Sequence, residues 1–454
     1  MLHIALLLTL LPPALDDFDG LRSAVVGVGD IDGDGVADLA LAHRPRPFAM
    51  MGAPNQAWPQ VDQDPVVWLL SGADGAVQRV LRGPKGFGTE LAVVGDLDGD
   101  GRADLAVGCG RRRSDGGEVV LVSTGTGEVL ARLAAPAGAQ GFGRGLAGGL
   151  QLTGDWNPDL VVGVHGGAII YDGATRQPAW VLEPRRGCQV ERRAVGEELV
   201  LSALSEEERP VYPPGLSSGW GAGSYPGMNV AAVADLDGDG LGEVALSTPR
   251  EPACEEATAP DSEAEQKDAR TRIVFSGGER PALSLDTAAW CLVSGEDLDG
   301  DGIPDLVTTT VNEHTRAWSG ASGAMLWEVS YRGGYLHAEG SSLVLTSDHD
   351  GDGVRDLAVG SNETFLDADR GGIAILSGRT GKELKRFAVS IDADPGPPGG
   401  GEGGVDATPL GDLDGDGLEE LAAWEPVAQR LCVLSGKDLT VRWEVEVSSL
   451  PRQE

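Results

Sequence analysis

Cysteine is scarce in this chain of 454 residues. Only five occur, at 109, 188, 254, 291 and 432, with no CxxC spacing. That number and pattern make neither a disulfide framework nor a zinc site. Cys291 and Cys432 fall in apolar runs that read as core strands; Cys188 and Cys254 fall in long loops, where they could pair. Basic residues are also few, with 35 Lys and Arg against 71 Asp and Glu and a formal charge of −36. So acidic a chain is not a nucleic-acid binder or a polybasic membrane binder. Long apolar runs are missing beyond residues 2–11 (LHIALLLTLL), so nothing else in the sequence is long enough to span a bilayer. That run precedes Pro12, Pro13 and Ala14, and residues 1–15 read as a secretory signal peptide, with a periplasmic, secreted or cell-surface protein expected. Catalytic motifs are absent as well. The histidines form no HxH or HExxH, and there is no GxSxG, no phosphate loop and no Cys beside a base.

Glycine is plentiful, at 68 residues, about twice the usual share. It suits short strands and tight turns. The chain is also longer than the roughly 250–300 residues that one undivided core serves, and repetition avoids that limit because each unit packs only on its neighbours.

The repeat is a nine-residue acidic loop, DxDGDGxx(D/E), starting at Asp30, Asp96, Asp235, Asp297, Asp348 and Asp412. Four carboxylates in nine residues repel one another unless a cation neutralises them. A hard divalent ion taking six to eight oxygens meets that need, and the flexible ligand set favours Ca²⁺ over Mg²⁺. About six Ca²⁺ sites are expected. An EF-hand is disfavoured, because it needs flanking helices and a Glu at position twelve. Here the flanks are short Val/Leu/Ala runs and the last carboxylate stands at nine. His349, at the second position of its loop, is expected to point outward.

Each loop lies between two apolar stretches, such as LAVVG at 91–95 and DLAVG at 104–108. A second pair follows, joined by Ser-Gly or Asp-Gly turns of hairpin type. It recurs seven times, at 67–81, 119–133, 168–182, 272–285, 315–329, 373–387 and 431–445. The third unit has a hairpin but a degenerate loop, QLTGDWNPD at 151–159, read as a repeat that has lost its ion. Seven units of four short antiparallel strands predict an all-β, seven-bladed β-propeller. Residues 187–203 mimic a further strand pair; a surface hairpin is the preferred reading, with a vestigial eighth blade as the alternative.

These loops, the strand after each, and Phe-Gly at 87–88 and 142–143 resemble the FG-GAP repeats of integrin α-subunit propellers and the related VCBS repeats, over residues 21–447. The resemblance implies Ca²⁺ in the loop joining the first two strands of a blade. Its ligands would be Asp30, Asp32, Asp34 and Asp38 with the Val36 carbonyl, then Asp96, Asp98, Asp100 and Asp104 with Arg102. The next sets would be Asp235, Asp237, Asp239 and Glu243 with Leu241, and Asp297, Asp299, Asp301 and Asp305 with Ile303. The last are Asp348, Asp350, Asp352 and Asp356 with Val354, and Asp412, Asp414, Asp416 and Glu420 with Leu418. Phe-Gly is missing from most repeats, and Glu replaces Asp at 243 and 420.

Strand parity places the acidic loops and the glycine turns on one face of such a propeller. The long segments 43–65, 183–229, 249–271, 361–371 and 388–408 are expected opposite. Residues 251–270 read as a disordered acidic insertion. Tyr212, Trp220 and Tyr225, set among Gly, Ser and Pro, form a candidate contact surface for a protein or glycan ligand. The expected function is a non-catalytic, monomeric recognition or adhesion scaffold whose Ca²⁺ is structural. The alternative is a lyase or hydrolase acting on carbohydrate from the same scaffold.

Overall fold

Each acidic loop joins the first two strands of an antiparallel meander. A computed structural model of the chain describes residues 25–43, 65–110, 117–137, 139, 141–164, 167–185, 189–195, 229–248, 270–277, 281–287, 289–310, 314–330, 342–361, 372–388, 405–425 and 429–451. These form seven separate sheets, one per repeat, with strands adjacent in chain order. Blade 1 runs through Val25–Gly29, Asp38–His43, Val66–Leu70 and Val77–Arg82. Blades 2 to 7 start at Leu91, Leu146, Asn229, Cys291, Leu343 and Asp406. First strands touch first strands all the way round, blade 7 meeting blade 1, so they surround the axis of a seven-bladed β-propeller. No α-helix occurs among the described residues, and no described helix is long and apolar enough to cross a membrane.

Burial explains the strand sequences. Several second and third strands are continuous apolar runs, such as Leu105–Gly108 and Gly372–Leu376, because neighbouring blades cover both their faces. Fourth strands such as Val441–Glu446 alternate between half-buried and exposed, with one face in solvent. The core is accordingly divided into seven apolar clusters, one between each pair of adjacent blades.

Ring closure uses side chains, since each described blade takes its strands from one continuous segment. Trp68, Leu70, Trp424 and Val433 share the cluster between blades 7 and 1. Trp443 Nε1 donates to Gly72 O at 3.0 Å, and Trp68 Nε1 to Pro451 O at 2.7 Å. Equivalent positions repeat the first contact elsewhere. Trp327 Nε1 reaches Gly378 O (3.0 Å), Lys385 Nζ reaches Gly436 O (3.1 Å), and Arg79 reaches Gly125 O.

Two expectations need correction in blade 3. Gln189–Ala194 pairs with Pro178–Arg185 as a fifth strand, so this part of 187–203 is neither a free surface hairpin nor an eighth blade. It also turns the chain back, and Val195 N donates to Ala179 O (3.3 Å) near the turn at 172–177. The segment 183–229 is therefore not wholly on the far face. Arg192 explains the addition, because its guanidinium stacks 4.4 Å over Trp180 and bonds Ser276 O of blade 4. Residues 1–15, 251–269, Cys188, Cys254, Tyr212, Trp220 and Tyr225 lie outside the described residues.

Candidate metal centres

Glycine bends each loop so that its first carboxylate caps its own backbone. Asp30 Oδ1 accepts from Gly33 N (2.6 Å) and Oδ2 from Gly35 N (2.9 Å), both glycines having positive φ, of 86° and 88°. Asp96, Asp235, Asp297, Asp348 and Asp412 repeat the pattern. Amide donation, above all from the second glycine, holds the carboxyls of Asp30, Asp96, Asp348 and Asp412 below the usual range.

The ninth position is different, being fully buried and braced between two turns. One oxygen of Asp38 accepts from Ile31 N (2.8 Å) and the other from Gly72 N (3.0 Å) in the turn between the third and fourth strands. Asp305 does the same with Leu298 N (2.8 Å) and Gly320 N (2.9 Å). Glu243 uses its longer arm to reach Leu236 N (3.4 Å) and Ser276 N (2.8 Å). Acidic loops and glycine turns thus share a face, as parity predicts.

Carboxylate oxygens converge in these loops. Asp30, Asp32 and Asp38 place theirs within 4.8 Å of one another, as do Asp96, Asp98 and Asp104, and Asp348, Asp350 and Asp356. In blades 4 and 5 the trio is instead Asp235, Asp237 and Asp239, or Asp297, Asp299 and Asp301. Three clustered carboxylates are a donor set for a hard, oxygen-seeking divalent cation. The fifth-position oxygens also have other partners. Asp34 Oδ1 accepts from Val36 N (2.8 Å), Asp100 faces Arg102 (3.5 Å) and Asp352 faces Arg379 (3.2 Å).

The loop of blade 3 keeps this shape with fewer charges. Gln151 Oε1 accepts from Thr153 N (3.0 Å) and Gly154 N (2.8 Å), as a first-position Asp would. Asp159 is braced by Leu152 N (2.6 Å), Thr153 N (2.8 Å) and Gly173 N (2.9 Å). Trp156 replaces the second glycine, holds a φ of 71° and is 89% exposed.

His349 corrects another expectation. Its ring is half-buried, with Nδ1 2.9 Å from Lys385 Nζ, and burial followed by that charge pushes its pKa down to about 4. The second position points inward in other loops, where Ile31, Leu236 and Leu298 fill the core. That pattern was visible in the sequence and should have placed His349. Two further residues went unnoticed. Gln78 Nε2 donates to Asp32 Oδ2 (2.8 Å), and Arg442 Nη1 binds Asp414 Oδ2 (2.9 Å) and Glu420 Oε1 (2.6 Å).

Residues 87–122, spanning the Phe-Gly turn, the loop at 96–104 and the first three strands of blade 2, match the family profile described as FG-GAP repeat. Residues 87–122 are thus an FG-GAP repeat. The chain is similar to integrin alpha chains: it is 29% identical over 154 residues to human integrin alpha-D, 30% over 177 to integrin alpha-PS2 of Drosophila melanogaster, and 31% over 163 to human integrin alpha-E. The matches cover 31%, 34% and 31% of this chain, but only 13%, 12% and 13% of those relatives. A solved structure of BBS1N in complex with ARL6DN, soaked with lead, superposes with a TM-score of 0.45 and 10% identity over 81% of this chain and 83% of that one.

The buried ninth-position acids set a pH response. Without a cation, burial, reinforced by neighbouring loop aspartates, pushes Asp104 and Asp356 up to about 6 and Glu243 up to about 7. The folded state then holds these protons more tightly than the unfolded chain does. Stability therefore falls as pH rises from about 4 to about 7, and acidification restores it. The capped first-position acids work in the opposite direction, but only near pH 4 and below. In chelator, melting temperature should rise on going from about pH 7.5 to about 5.5. In millimolar calcium the rise should vanish, because an ion needs the ionised acids. Thermal melts across that window, with and without calcium, check both.

Proposed function

We propose that this FG-GAP propeller is an exported, calcium-binding recognition scaffold with no catalytic role, in which Ca²⁺ is structural. The convergence of the first- and third-position carboxylates with the ninth in blades 1, 2 and 6, and with the fifth in blades 4 and 5, carries this reading. When bound, the ion would supply the neutralising charge that lets these acids remain ionised side by side. Around it, the chain's own amides hold the first carboxylate in place, and the ninth ties the loop to the adjacent turn. The likeness to integrin alpha chains supports a recognition or adhesion role, and the apolar run at 2–11 supports export.

The partner, a protein or glycan, would meet the face opposite the acidic loops, with Tyr212, Trp220 and Tyr225 at the contact. Arrays of glycans and of peptides, probed with the purified chain in calcium and in chelator, test this. A ligand should be retained by the native chain and lost by Trp220→Ala, whose calcium-dependent melting shift stays unchanged. Loss of both would assign Trp220 to the core and remove this contact from the proposal.

A further inference from the structure

The seven blades offer a comparison at one register position. The fourth-strand residue at this register position is Gln78, Leu130, Ala179, Ala282, Leu326, Leu384 and Arg442 in blades 1 to 7, and in blades 1 and 7 its side chain bonds the blade's own acidic loop. Five are apolar, one is a neutral amide, and one carries a permanent positive charge. We propose that Arg442 is a tethered counter-cation that takes the carboxylates of Asp414 and Glu420 in place of a divalent ion, so that the loop at 412–420 holds its shape without metal and binds Ca²⁺ last and most weakly.

The geometry sets Arg442 apart from the other cations near the loops. Arg102 and Arg379 reach only the fifth-position aspartates, Asp100 and Asp352, and are 37% and 43% exposed. Pairs of that kind contribute little and swing aside easily. Arg442 instead joins the third and ninth positions, and Glu420 is fully buried. In blades 1, 2 and 6 the oxygens of those two positions belong to the converging trio. A buried carboxylate left without its partner is costly, so an incoming ion must replace the guanidinium rather than add to it. Gln78 touches the same region in blade 1 but has no charge to oppose an ion.

The position in the ring gives the device a purpose. Blade 7 closes the propeller, and Trp443, the next residue, makes the bond to Gly72 of blade 1. Arg355 of blade 6 also reaches Glu419 of the same loop, at 2.9 Å. An internal cation here keeps the closing seam ordered when calcium is withdrawn from the other loops.

This inference rests on the calcium-binding reading above, and the test separates the two. Ca²⁺ is titrated into the full chain by calorimetry, with ⁴⁵Ca equilibrium dialysis for stoichiometry, in the native protein, R442L and L384R. The native chain should take up five ions tightly and a sixth at least about tenfold more weakly, as expected for an ion competing with a fixed positive charge. R442L should bring the sixth into the tight class while melting earlier in chelator. L384R, which moves the arginine to blade 6, should weaken one further ion. If R442L does not fold, L384R decides alone. Six equal ions in the native chain, or an unchanged profile in both variants, overturns the role of Arg442 and leaves calcium binding intact. Absence of any bound ion overturns both.

Discussion

Transferring the chain from millimolar calcium to chelator should lower its melting temperature by about 4–12 °C without unfolding it at room temperature. Extracellular calcium modules bind in the range of about 0.1–1 mM, so mass action at about 1 mM gives each site roughly 0.5–1.5 kcal/mol. Five sites of that strength sum to about 2.5–7.5 kcal/mol, and the weaker loop beside Arg442 adds little. At about 2 cal/mol/K per residue, the roughly 290 described residues have a melting entropy near 0.6 kcal/mol/K, which sets the size of the shift. The structure explains why the loss is graded. The loops are held by their own amides, as in Asp30 to Gly33 and Gly35, and one of them by Arg442. Differential scanning calorimetry in the two buffers measures the shift. An identical melt in both would rule out a structural role for the ion.

The second large effect separates brace from ligand at the ninth position. Asp159→Ala removes the acceptor for the Leu152, Thr153 and Gly173 amides in the loop with fewest acids. Thr153 N keeps Gln151 Oε1, so two donors are orphaned, Leu152 N and Gly173 N; at about 1–3 kcal/mol each they should cost about 2–6 kcal/mol, equally in calcium and in chelator. Asp104→Ala strips Leu97 N and Thr124 N in the same way, but within a converging trio. It should destabilise by a similar amount and also narrow the gap between calcium and chelator by one site. Chemical denaturation of both variants under both conditions checks this. An equal narrowing in Asp159→Ala would mean that the degenerate loop binds an ion after all.

Much of the architecture was legible because propeller blades write themselves locally. The loop, the fully buried strand after it and the hairpin that follows all fall within about 50 residues, and burial on both faces leaves apolar runs that need no partner to be read. What escaped depends on register. Arg442 meets Asp414 across 28 positions, and only the pairing of Val433 with Trp443 shows that it stands where five other blades have leucine or alanine. The strand Gln189–Ala194 looked like half of an independent hairpin, since nothing local says that the fourth strand of blade 3 offers it an edge. His349 was misplaced for a simpler reason, its loop having been read alone when the inward second position was evident from the others.

Calcium-soaked crystals, imaged in an anomalous difference map, would decide most directly whether the acidic turns hold metal. Density is predicted beside Asp32, Asp98, Asp237, Asp299 and Asp350, a weaker feature beside Asp414, and none beside Thr153. Empty turns at saturating calcium, or a peak at Thr153 as strong as the rest, would contradict the account.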